Sequence, residues 1–375
     1  MEANGLRKEE RHMMKKLVSL FCALAMAATM LTGCGQPAAE TPEAPEQEQT
    51  ATTEPETVET PEEPETPEEP AETDSVPIRV AALKGPTAMG MVQMMDASDK
   101  GELEGCDYTF SIEASADLVT PLLAKGEVDL AAVPANLASV LYNNMDGGVE
   151  VLAINTLGVL YMVESGDTIS TVEDLRGKTI YASGKDNTPE YALNYVLEQN
   201  GIDPAADVTI EWKSEHSECL AALLAQENAV AMLPQPFVTT AQMQSDQIRV
   251  ALDLTEEWER LQADSETPSS MITGVLVGRR EFVEAHPDAV TEFLEHYQTS
   301  VDYVNNNVED AAQLVGQYDI VPAQVAVQAI PACNITLIRG QELQEKLSGY
   351  LTVLLEQNPK SIGGAMPADD FYFLG

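Results

Sequence analysis

Residues 78–95, IRVAALKGPTAMGMVQMM, have residue types and a spacing that could bind a small polar or anionic molecule. An apolar run predicts a strand, Lys84, Gly85 and Pro86 predict a turn, and Thr87 is a favourable N-cap for an apolar helix. The first N–H groups of a helix have no partner within it, so they can donate to a ligand at the end of the strand. The alternative is an ordinary strand-to-helix connection without a ligand, which this segment alone favours.

A second stretch, about a hundred residues later, repeats this arrangement. Residues 179–182 predict a strand, and a polar loop leads to Thr188 and Pro189, which are typical of a helix N-cap and of the first helical position. Residues 127–134 and 228–234 also correspond, because each predicts a buried strand that ends in proline. The sequence therefore predicts two α/β units with one order of elements.

The connections between these two units are also visible in the sequence. Residues 149–163 are apolar with a polar break at Asn155, Thr156 and Gly158, which suits a segment that leaves one unit and enters the other. Residues 267–278 predict a strand that carries the chain back. Helices are predicted after it, over residues 287–305, 308–317, 322–328 and 340–357.

The N-terminus has the features of an exported lipoprotein. Two lysines precede a short apolar run, and residues 31–34, LTGC, resemble a bacterial lipobox. The run is too short for a membrane-spanning helix. We therefore predict a signal peptide over residues 1–33, translated from Met13 or Met14, and lipid attachment to Cys34. A chance cysteine at this position is the alternative.

Residues 34–76 are rich in Glu, Pro and Thr, as in ETPEEPETPEEPAET. They contain few apolar groups to offset the entropy of ordering, and repulsion between glutamates favours extended conformations. We predict a disordered tether between the lipid and the folded body. A recognition segment for a cell-wall component is the alternative.

The charge of the chain excludes one class of partner. With 20 basic and 62 acidic residues, the chain has a net charge of −42 at pH 7. Such a surface repels the phosphates of nucleic acids and the head groups of anionic lipids. We therefore predict no nucleic-acid partner, and the lipid on Cys34 rather than charge would hold the protein at the membrane.

The remaining cysteines and histidines form no metal or disulfide pattern. The three cysteines of the body are far apart and odd in number, and its three histidines lack the spacing of metal ligands. These residues are Cys106, Cys219, Cys333, His216, His286 and His296. We predict buried thiols, no metal and no cofactor.

Three short segments, taken in order, resemble one protein family. They are DLAAVP at residues 129–134, VEDLRGK at residues 172–178 and REFVEAHPDAV at residues 280–290. Each is weak alone, but after a lipobox they together resemble the substrate-binding lipoproteins of ABC importers. Within that family the chain is most similar to the nitrate, sulfonate, taurine and pyrimidine-precursor branch.

The resemblance implies an α/β protein of the two-lobed periplasmic-binding-protein type II fold, with a ligand cleft between lobes joined by two crossing strands. Lobe 1 would contain residues 77–163 and 273–375, and lobe 2 residues 164–272. Five loops would bind the ligand in the cleft. Their residues are Lys84, Gly85, Pro86, Thr87, Ala88, Met89, Pro134, Ala135, Asn136, Asn155, Thr156, Gly184, Lys185, Asp186, Asn187, Thr188, Gln235, Pro236 and Phe237.

Lys84 and Lys185 occupy corresponding loops of the two lobes. As a pair they could hold an anionic ligand, and as exposed loop lysines they would have no role. The sequence leaves both interpretations open. Sulfonate- and nitrate-binding relatives imply a more cationic or Trp-lined cleft, whereas Trp212 and Trp258 lie outside the predicted loops.

The resemblance also implies a function without a catalytic residue. The protein would be a monomer, anchored to the outer face of the cytoplasmic membrane. It would bind a small polar solute, anionic or heteroaromatic, by lobe closure and deliver it to an ABC permease with a separate cytoplasmic ATPase. An enzyme of the pyrimidine or menaquinone pathway type and a ligand-sensing lipoprotein are the alternatives. The scattered cysteines argue against the pyrimidine synthases, which carry a cysteine cluster.

Overall fold

Eleven strands form two sheets in the computed structural model, which describes residues 75–103, 106–265 and 269–375. The described residues belong to one compact unit of the chain. The strands are β1 (Val76–Leu83), β2 (Cys106–Glu113), β3 (Leu130–Pro134), β4 (Val149–Leu157), β5 (Leu160–Ser165), β6 (Thr179–Ser183), β7 (Thr209–Lys213), β8 (Val230–Pro234), β9 (Ile248–Asp253), β10 (Ile272–Arg279) and β11 (Ile335–Ile338).

The two sheets have the same arrangement of their central strands. The first has the order β11–β4–β10–β3–β1–β2, and the second has the order β7–β6–β8–β5–β9. In the first sheet β2, β1 and β3 are parallel, and in the second β7, β6 and β8 are parallel. An antiparallel strand follows in each, β10 in the first and β5 in the second. We call the half built on the first sheet lobe 1 and the half built on the second sheet lobe 2.

The helices of the described residues lie between the strands and at the C-terminal end of the chain. They are α1 (Pro86–Met89), α2 (Val92–Asp99), α3 (Ala116–Ala124), α4 (Ala135–Asn144), α5 (Thr188–Gln199), α6 (His216–Ala225), α7 (Phe237–Gln244), α8 (Leu254–Gln262), α9 (Arg280–Ala285), α10 (Pro287–Asn306), α11 (Val308–Gln317), α12 (Ala323–Ala329) and α13 (Gly340–Gln357). Short 3₁₀ helices cover Val172–Leu175, Ile330–Ala332, Pro359–Ile362 and Asp369–Phe371.

The inner strands β3 and β8 are apolar along nearly their whole length. Every residue before the final proline of each strand is buried. A parallel strand with elements packed on both of its faces needs apolar side chains on both faces, so its sequence is a continuous apolar run and does not alternate. This confirms the two buried strands predicted at residues 127–134 and 228–234.

The chain crosses from the first sheet to the second between β4 and β5, at Gly158 and Val159. A Cβ atom on Gly158 would lie 2.1 Å from Oγ1 of Thr255, at the start of α8. Only glycine therefore fits at this crossing without a shift of α8. The return crossing runs from α8 to β10. The predicted pair of crossing segments is thus present.

Helix α13 contacts elements of both lobes. Its buried side chains belong to one hydrophobic core with residues of α4 and β4 from lobe 1 and of β6 and α5 from lobe 2. The ring of Tyr350 lies 5.4 Å from the ring of Trp258 in α8, and Trp258 lies 4.3 Å from the ring of Tyr195 in α5. The helix thus joins the lobes in addition to the crossing segments.

Two predicted helix caps are wrong. Helix α1 begins at Pro86, so Thr87 lies inside it and donates its hydroxyl to the carbonyl oxygen of Leu83 over 2.8 Å. Helix α5 begins at Thr188, whose hydroxyl donates to the side chain of Asn136 instead of capping its own helix. In both cases another acceptor takes the hydroxyl proton.

The predicted signal peptide, Cys34 and residues 35–74 of the predicted tether lie outside the described residues, as do residues 267 and 268 of the predicted return segment. The predicted end of the tether at residue 76 is wrong, because Val76 is the first residue of β1. Within the described part of the chain, no helix is both long enough and apolar enough to cross a membrane.

Candidate ligand-binding cleft

The carboxyl ends of the parallel strands of the two sheets face each other. Thr188, which follows β6, donates its hydroxyl to Oδ1 of Asn136, which follows β3, over 3.0 Å. Tyr161 of β5 donates to the carbonyl oxygen of Ala332 in lobe 1 over 3.3 Å. In open α/β sheets, ligands usually bind beyond the carboxyl ends of the strands. The space between the two edges is therefore the candidate cleft.

A group of buried polar side chains lies on the crossing strands. Asn155 and Thr156 of β4 are 0 % exposed. Among the described residues, neither amide atom of Asn155 nor Oγ1 of Thr156 has a hydrogen-bond partner. A Cβ atom on Gly274 of β10 would lie 2.6 Å from Oδ1 of Asn155 and 2.7 Å from Cγ2 of Thr87. Thr87, Asn155, Thr156 and Gly274 therefore converge, and we call them the cleft floor.

Further polar atoms without a partner lie close to the same crossings. They are Oγ1 of Thr255, beside Gly158, and Oγ1 of Thr273 in β10; neither has a hydrogen-bond partner within residues 75–103, 106–265 and 269–375. Buried polar groups in folded proteins are nearly always paired with protein or with ordered water. Their concentration makes the floor the place in the cleft where an ordered water or a ligand could pair with the protein.

Tyr297 of α10 lies against the floor from the side of lobe 1. It is fully buried, and burial raises the pKa of its phenol, whereas the neighbouring amide of Asn155 acts in the opposite direction. Asn155 is beside the hydroxyl but lacks the geometry of a hydrogen bond. The hydroxyl makes a long contact of 3.5 Å with the carbonyl oxygen of Thr87. The phenol therefore remains neutral and can act as a donor.

A second polar group lies in lobe 2. Oγ of Ser183, at the end of β6, lies 2.5 Å from Nδ1 of His216, the first residue of α6. The ring of Phe237, at the start of α7, lies 5.2 Å from the imidazole ring. Burial lowers the pKa of His216 to about 4, so the ring is neutral at pH 7. We call Ser183, His216 and Phe237 the cleft wall.

The second ring nitrogen of His216 is available to a ligand. Within the described part of the chain, Nε2 has no hydrogen-bond partner, since the contact with Ser183 is made by Nδ1. His216 was not among the predicted ligand residues. Its position carries a usable signal, because it opens the helix that follows β7, the second parallel strand of lobe 2. A prediction that takes the residues after all three parallel strands of lobe 2 as ligand residues would include His216.

Comparison with protein families gives a match over residues 102–324 to the family described as ABC transporter, phosphonate, periplasmic substrate-binding protein. This match covers more than half of the chain. The chain belongs to this family. It is therefore the substrate-binding component of an ABC import system, and the predicted importer function is confirmed at this level.

Solved structures show the same fold as this substrate-binding protein. An ABC transporter structure from Parabacteroides distasonis is 22% identical with a TM-score of 0.65, over 80% of this chain and 99% of that chain. The aliphatic sulphonate binding protein SsuA from Escherichia coli is 15% identical with a TM-score of 0.62, over 78% and 96%. These similarities confirm the predicted periplasmic-binding-protein fold. A comparison with curated protein sequences gives no match.

Both predicted lysines of the binding protein are exposed. The ammonium nitrogen of Lys84 lies 3.4 Å from a carboxylate oxygen of Asp319. Lys185 has no ion-pair partner among the residues that the structure describes. Contact of either lysine with a ligand stays a prediction.

The other predicted site residues differ in burial. The buried ones are Gly85, Thr87, Ala88, Met89, Ala135, Asn136, Asn155, Thr156, Thr188, Gln235 and Pro236. The partly or fully exposed ones are Pro86, Pro134, Gly184, Asp186, Asn187 and Phe237. Gly85 and Gly184 have φ angles of 141° and 82°, which L side chains rarely adopt. The backbone itself therefore requires glycine in both loops, whether or not a ligand approaches.

The cysteines of the binding protein fit the predicted buried thiols where they are described. Cys219 and Cys333 are buried and free, and burial raises the pKa of both thiols, that of Cys333 to about 12. The side chain of Cys106 lies outside the described part. Among the described residues, no group of three or more His, Cys, Asp or Glu side chains could hold a metal ion.

A separate cavity of about 940 Å³ lies at the amino ends of β3 and β4, the edge of lobe 1 opposite to the cleft. Two arginines line it, and both are already paired. Arg279 lies 2.9 Å from Glu281, and Arg280 lies 3.3 Å from Asp370. Because its cations are neutralised, this cavity is a weaker candidate for an anionic ligand than the cleft.

Proposed function

We propose that this protein captures a small organic oxyanion of the phosphonate or sulfonate type. Its lobes would close on the solute and deliver it to an ABC permease that has a separate ATPase. The cleft floor is the observation that carries the proposal, since Asn155 and Thr156 place three buried polar atoms there without a partner among the described residues. An oxyanion whose oxygens accept hydrogen bonds from Nδ2 of Asn155 and Oγ1 of Thr156 removes the cost of leaving these two donors unpaired.

Neutral donors in the wall suit such a head group. If Ser183 donates its proton to Nδ1 of His216, the ring proton is on Nε2, which becomes a donor. His216 also opens α6, and the positive end of a helix dipole favours an anion over an imidazolium at this position. An uncharged donor of this kind binds an oxyanion without any further cation in an acidic protein.

The organic part of the solute has an apolar surface available beside this donor. The ring of Phe237 is partly exposed and lies next to His216. Known proteins of this fold support the ligand class. The matching family is named for phosphonate, and the alkanesulfonate-binding protein SsuA from Xanthomonas axonopodis is described as bound to MOPS.

We also propose that the cleft binds its solute without chemical change. Ser183 and His216 form a hydroxyl–imidazole pair, but a ring with a pKa of about 4 is a weak general base at neutral pH. The nearby thiol of Cys219 has a raised pKa, so it is protonated and a poor nucleophile. Neither group is activated for covalent chemistry.

Replacing Asn155 with leucine tests the role of the floor. We expect the affinity for the solute to fall about tenfold to a hundredfold, because one or more hydrogen bonds to a charged head group are lost. We expect the melting temperature of the free protein to stay the same or to rise, because an unpaired amide is replaced by an apolar group. Calorimetric titration with methylphosphonate and methanesulfonate, together with thermal unfolding, measures both quantities.

Asn194 of α5 offers a matched control. Its Oδ1 is also buried and has no partner among the described residues, but it lies beside the edge strand β7, outside the cleft. Asn194→Leu should therefore leave the affinity unchanged. Equal affinity of wild type and Asn155→Leu for the same probe would remove Asn155 from the site. Binding of neither probe by the wild type would reject the oxyanion class.

We propose that Cys34 anchors a monomeric, exported protein to the outer face of the cytoplasmic membrane, with residues 35–75 as a tether. In cells that process lipoproteins, we expect Cys34→Ala to abolish incorporation of labelled fatty acid and to release the body into the soluble fraction. Cys219→Ala is the control, since that thiol lies buried in the folded body. Unchanged labelling of Cys34→Ala would exclude this cysteine as the lipid site.

A further inference from the structure

Asn136 was predicted as a ligand residue together with Asn155, but the two amides have opposite surroundings. Both hydrogen-bonding ends of Asn136 are occupied: Nδ2 donates to the carbonyl oxygen of Ser361 over 3.1 Å, and Oδ1 accepts from the hydroxyl of Thr188 over 3.0 Å. Asn136 is 2 % exposed and Thr188 is 1 % exposed. One N–H of Nδ2 and one lone pair of Oδ1 are thus used within the protein, whereas neither end of the Asn155 amide has a partner among the described residues.

The contact between Asn136 and Thr188 joins the two lobes directly. Asn136 lies in the first turn of α4, after β3, and Thr188 opens α5, after β6. These are the two strand ends between which the cleft lies. Separating the lobes at this point breaks the hydrogen bond and exposes both side chains to water, so the bond is made only when the lobes are together.

The C-terminal segment, which comprises α13 and the residues after it, fixes the position of Asn136 for this contact. Ser139 and Asn143 of the same helix donate to the carbonyl oxygen of Ile362, over 2.8 Å and 2.9 Å. The phenol of Tyr350 in α13 is buried beside Thr188: burial raises its pKa, and the neighbouring hydroxyl of Thr188 acts in the opposite direction. The C-terminal segment thus holds α4 so that Oδ1 of Asn136 points at lobe 2.

We propose that Asn136 and Thr188 are positioning residues that lock the closed cleft and set the affinity for the solute without touching it. The bond contributes to the closed state and not to the open one, so it shifts the equilibrium between them. A solute that binds the closed state gains apparent affinity in proportion to that shift. This inference concerns lobe closure and does not depend on the identity of the solute.

Thr188→Val tests the lock, because valine keeps the shape of threonine and removes the hydroxyl. Loss of the bond leaves Oδ1 of Asn136 unpaired in the closed state, and we expect about a tenfold rise in the dissociation rate of methylphosphonate with little change in the association rate. Surface plasmon resonance separates the two rates. Small-angle X-ray scattering of the free protein should give a larger radius of gyration for the variant.

Two further variants make the result specific. Thr188→Ser keeps a hydroxyl and should restore the dissociation rate and the radius of gyration of the wild type. Thr352→Val removes a hydroxyl from the exposed side of α13, where it bonds to Ser348 within the same helix, and should change neither quantity.

A contact that persists in the open state would behave differently. Thr188→Val would then lower the melting temperature of the free protein but leave the dissociation rate and the radius of gyration unchanged, which would overturn the lock. If the wild type binds neither methylphosphonate nor methanesulfonate, the proposed ligand class fails. The scattering comparison still decides the lock in that case, since equal radii reject it and a larger radius for the variant supports it.

Discussion

Glu164→Gln is expected to lower the free energy of unfolding by about 3–5 kcal/mol, the range for breaking a buried ion pair. The carboxylate of Glu164 in β5 is fully buried. It accepts hydrogen bonds from the backbone N–H groups of Thr168, at 2.9 Å, and Ile169, at 3.1 Å, and it forms an ion pair with Arg249. Glutamine retains one acceptor oxygen and places an NH₂ group among these donors. Chemical denaturation at pH 7 measures the change.

The pH dependence of stability provides a second measurement. Burial alone would raise the pKa of Glu164, but hydrogen bonds from Ile169 and Thr168 and the charge of Arg249 outweigh it, so the pKa is lowered. A carboxylate with a lowered pKa in the folded state stabilises the protein above its unfolded pKa, and this contribution is lost as the pH falls through the folded pKa. Below about pH 4.5, the wild type should therefore lose stability more steeply than Glu164→Gln.

Asp167 supplies the control for this experiment. Its carboxylate lies 3.2 Å from the same Arg249, but its side chain is 91% exposed. Exposed ion pairs contribute little because water screens them. Asp167→Asn should therefore unfold nearly like the wild type. A loss as large as that of Glu164→Gln would show that the charge of Arg249, and not the buried carboxylate, determines the stability of this region.

Asp129→Asn is expected to lower the free energy of unfolding by about 2–3 kcal/mol and to leave the affinity for the solute unchanged. The side chain of Asp129 is 4% exposed and receives two bonds from the guanidinium of Arg79, over 2.9 Å and 2.6 Å. Arg279 lies 3.6 Å away. Both arginines keep access to water, so the expected loss is smaller than for Glu164. Thermal unfolding and calorimetric titration test the two parts.

Asp129 belongs to one of the three segments that resemble the family, yet it lies at the amino end of β3, away from the cleft. We therefore assign it to folding. Asp107→Asn, on the exposed side of the edge strand β2, should leave both stability and affinity unchanged. A selective loss of affinity in Asp129→Asn, without loss of stability, would contradict this assignment.

Elements with strong local signals could be predicted from the sequence. Strands β3 and β8 are continuous apolar runs, and Pro287 marks the start of α10 at its first helical position. The polar break at Gly158 marks the crossing because a strand interior does not favour glycine. These features depend on a few neighbouring residues, so the pattern is sufficient.

Elements that depend on distant partners were not predicted. Strand β11 has four residues and pairs with β4 at the edge of the first sheet, and β9 mixes apolar and charged residues at the edge of the second. Asn136 and Asn155 show the same limit in the site. The residue type is identical, but Asn136 has partners for both ends of its amide, and Asn155 has none among the described residues. Sequence pattern alone does not distinguish them.

The contact of Trp258 with Tyr195 and Tyr350 gives the protein an intrinsic optical probe. The chain has two tryptophans, and Trp258 is fully buried where α8 and α5 of lobe 2 meet α13. Its indole N–H donates to Ser269 over 3.0 Å, so its emission responds to small movements of this junction. In a Trp212→Phe variant, the tryptophan fluorescence comes from this one site. Changes in lobe arrangement could then be followed in solution without attaching a dye.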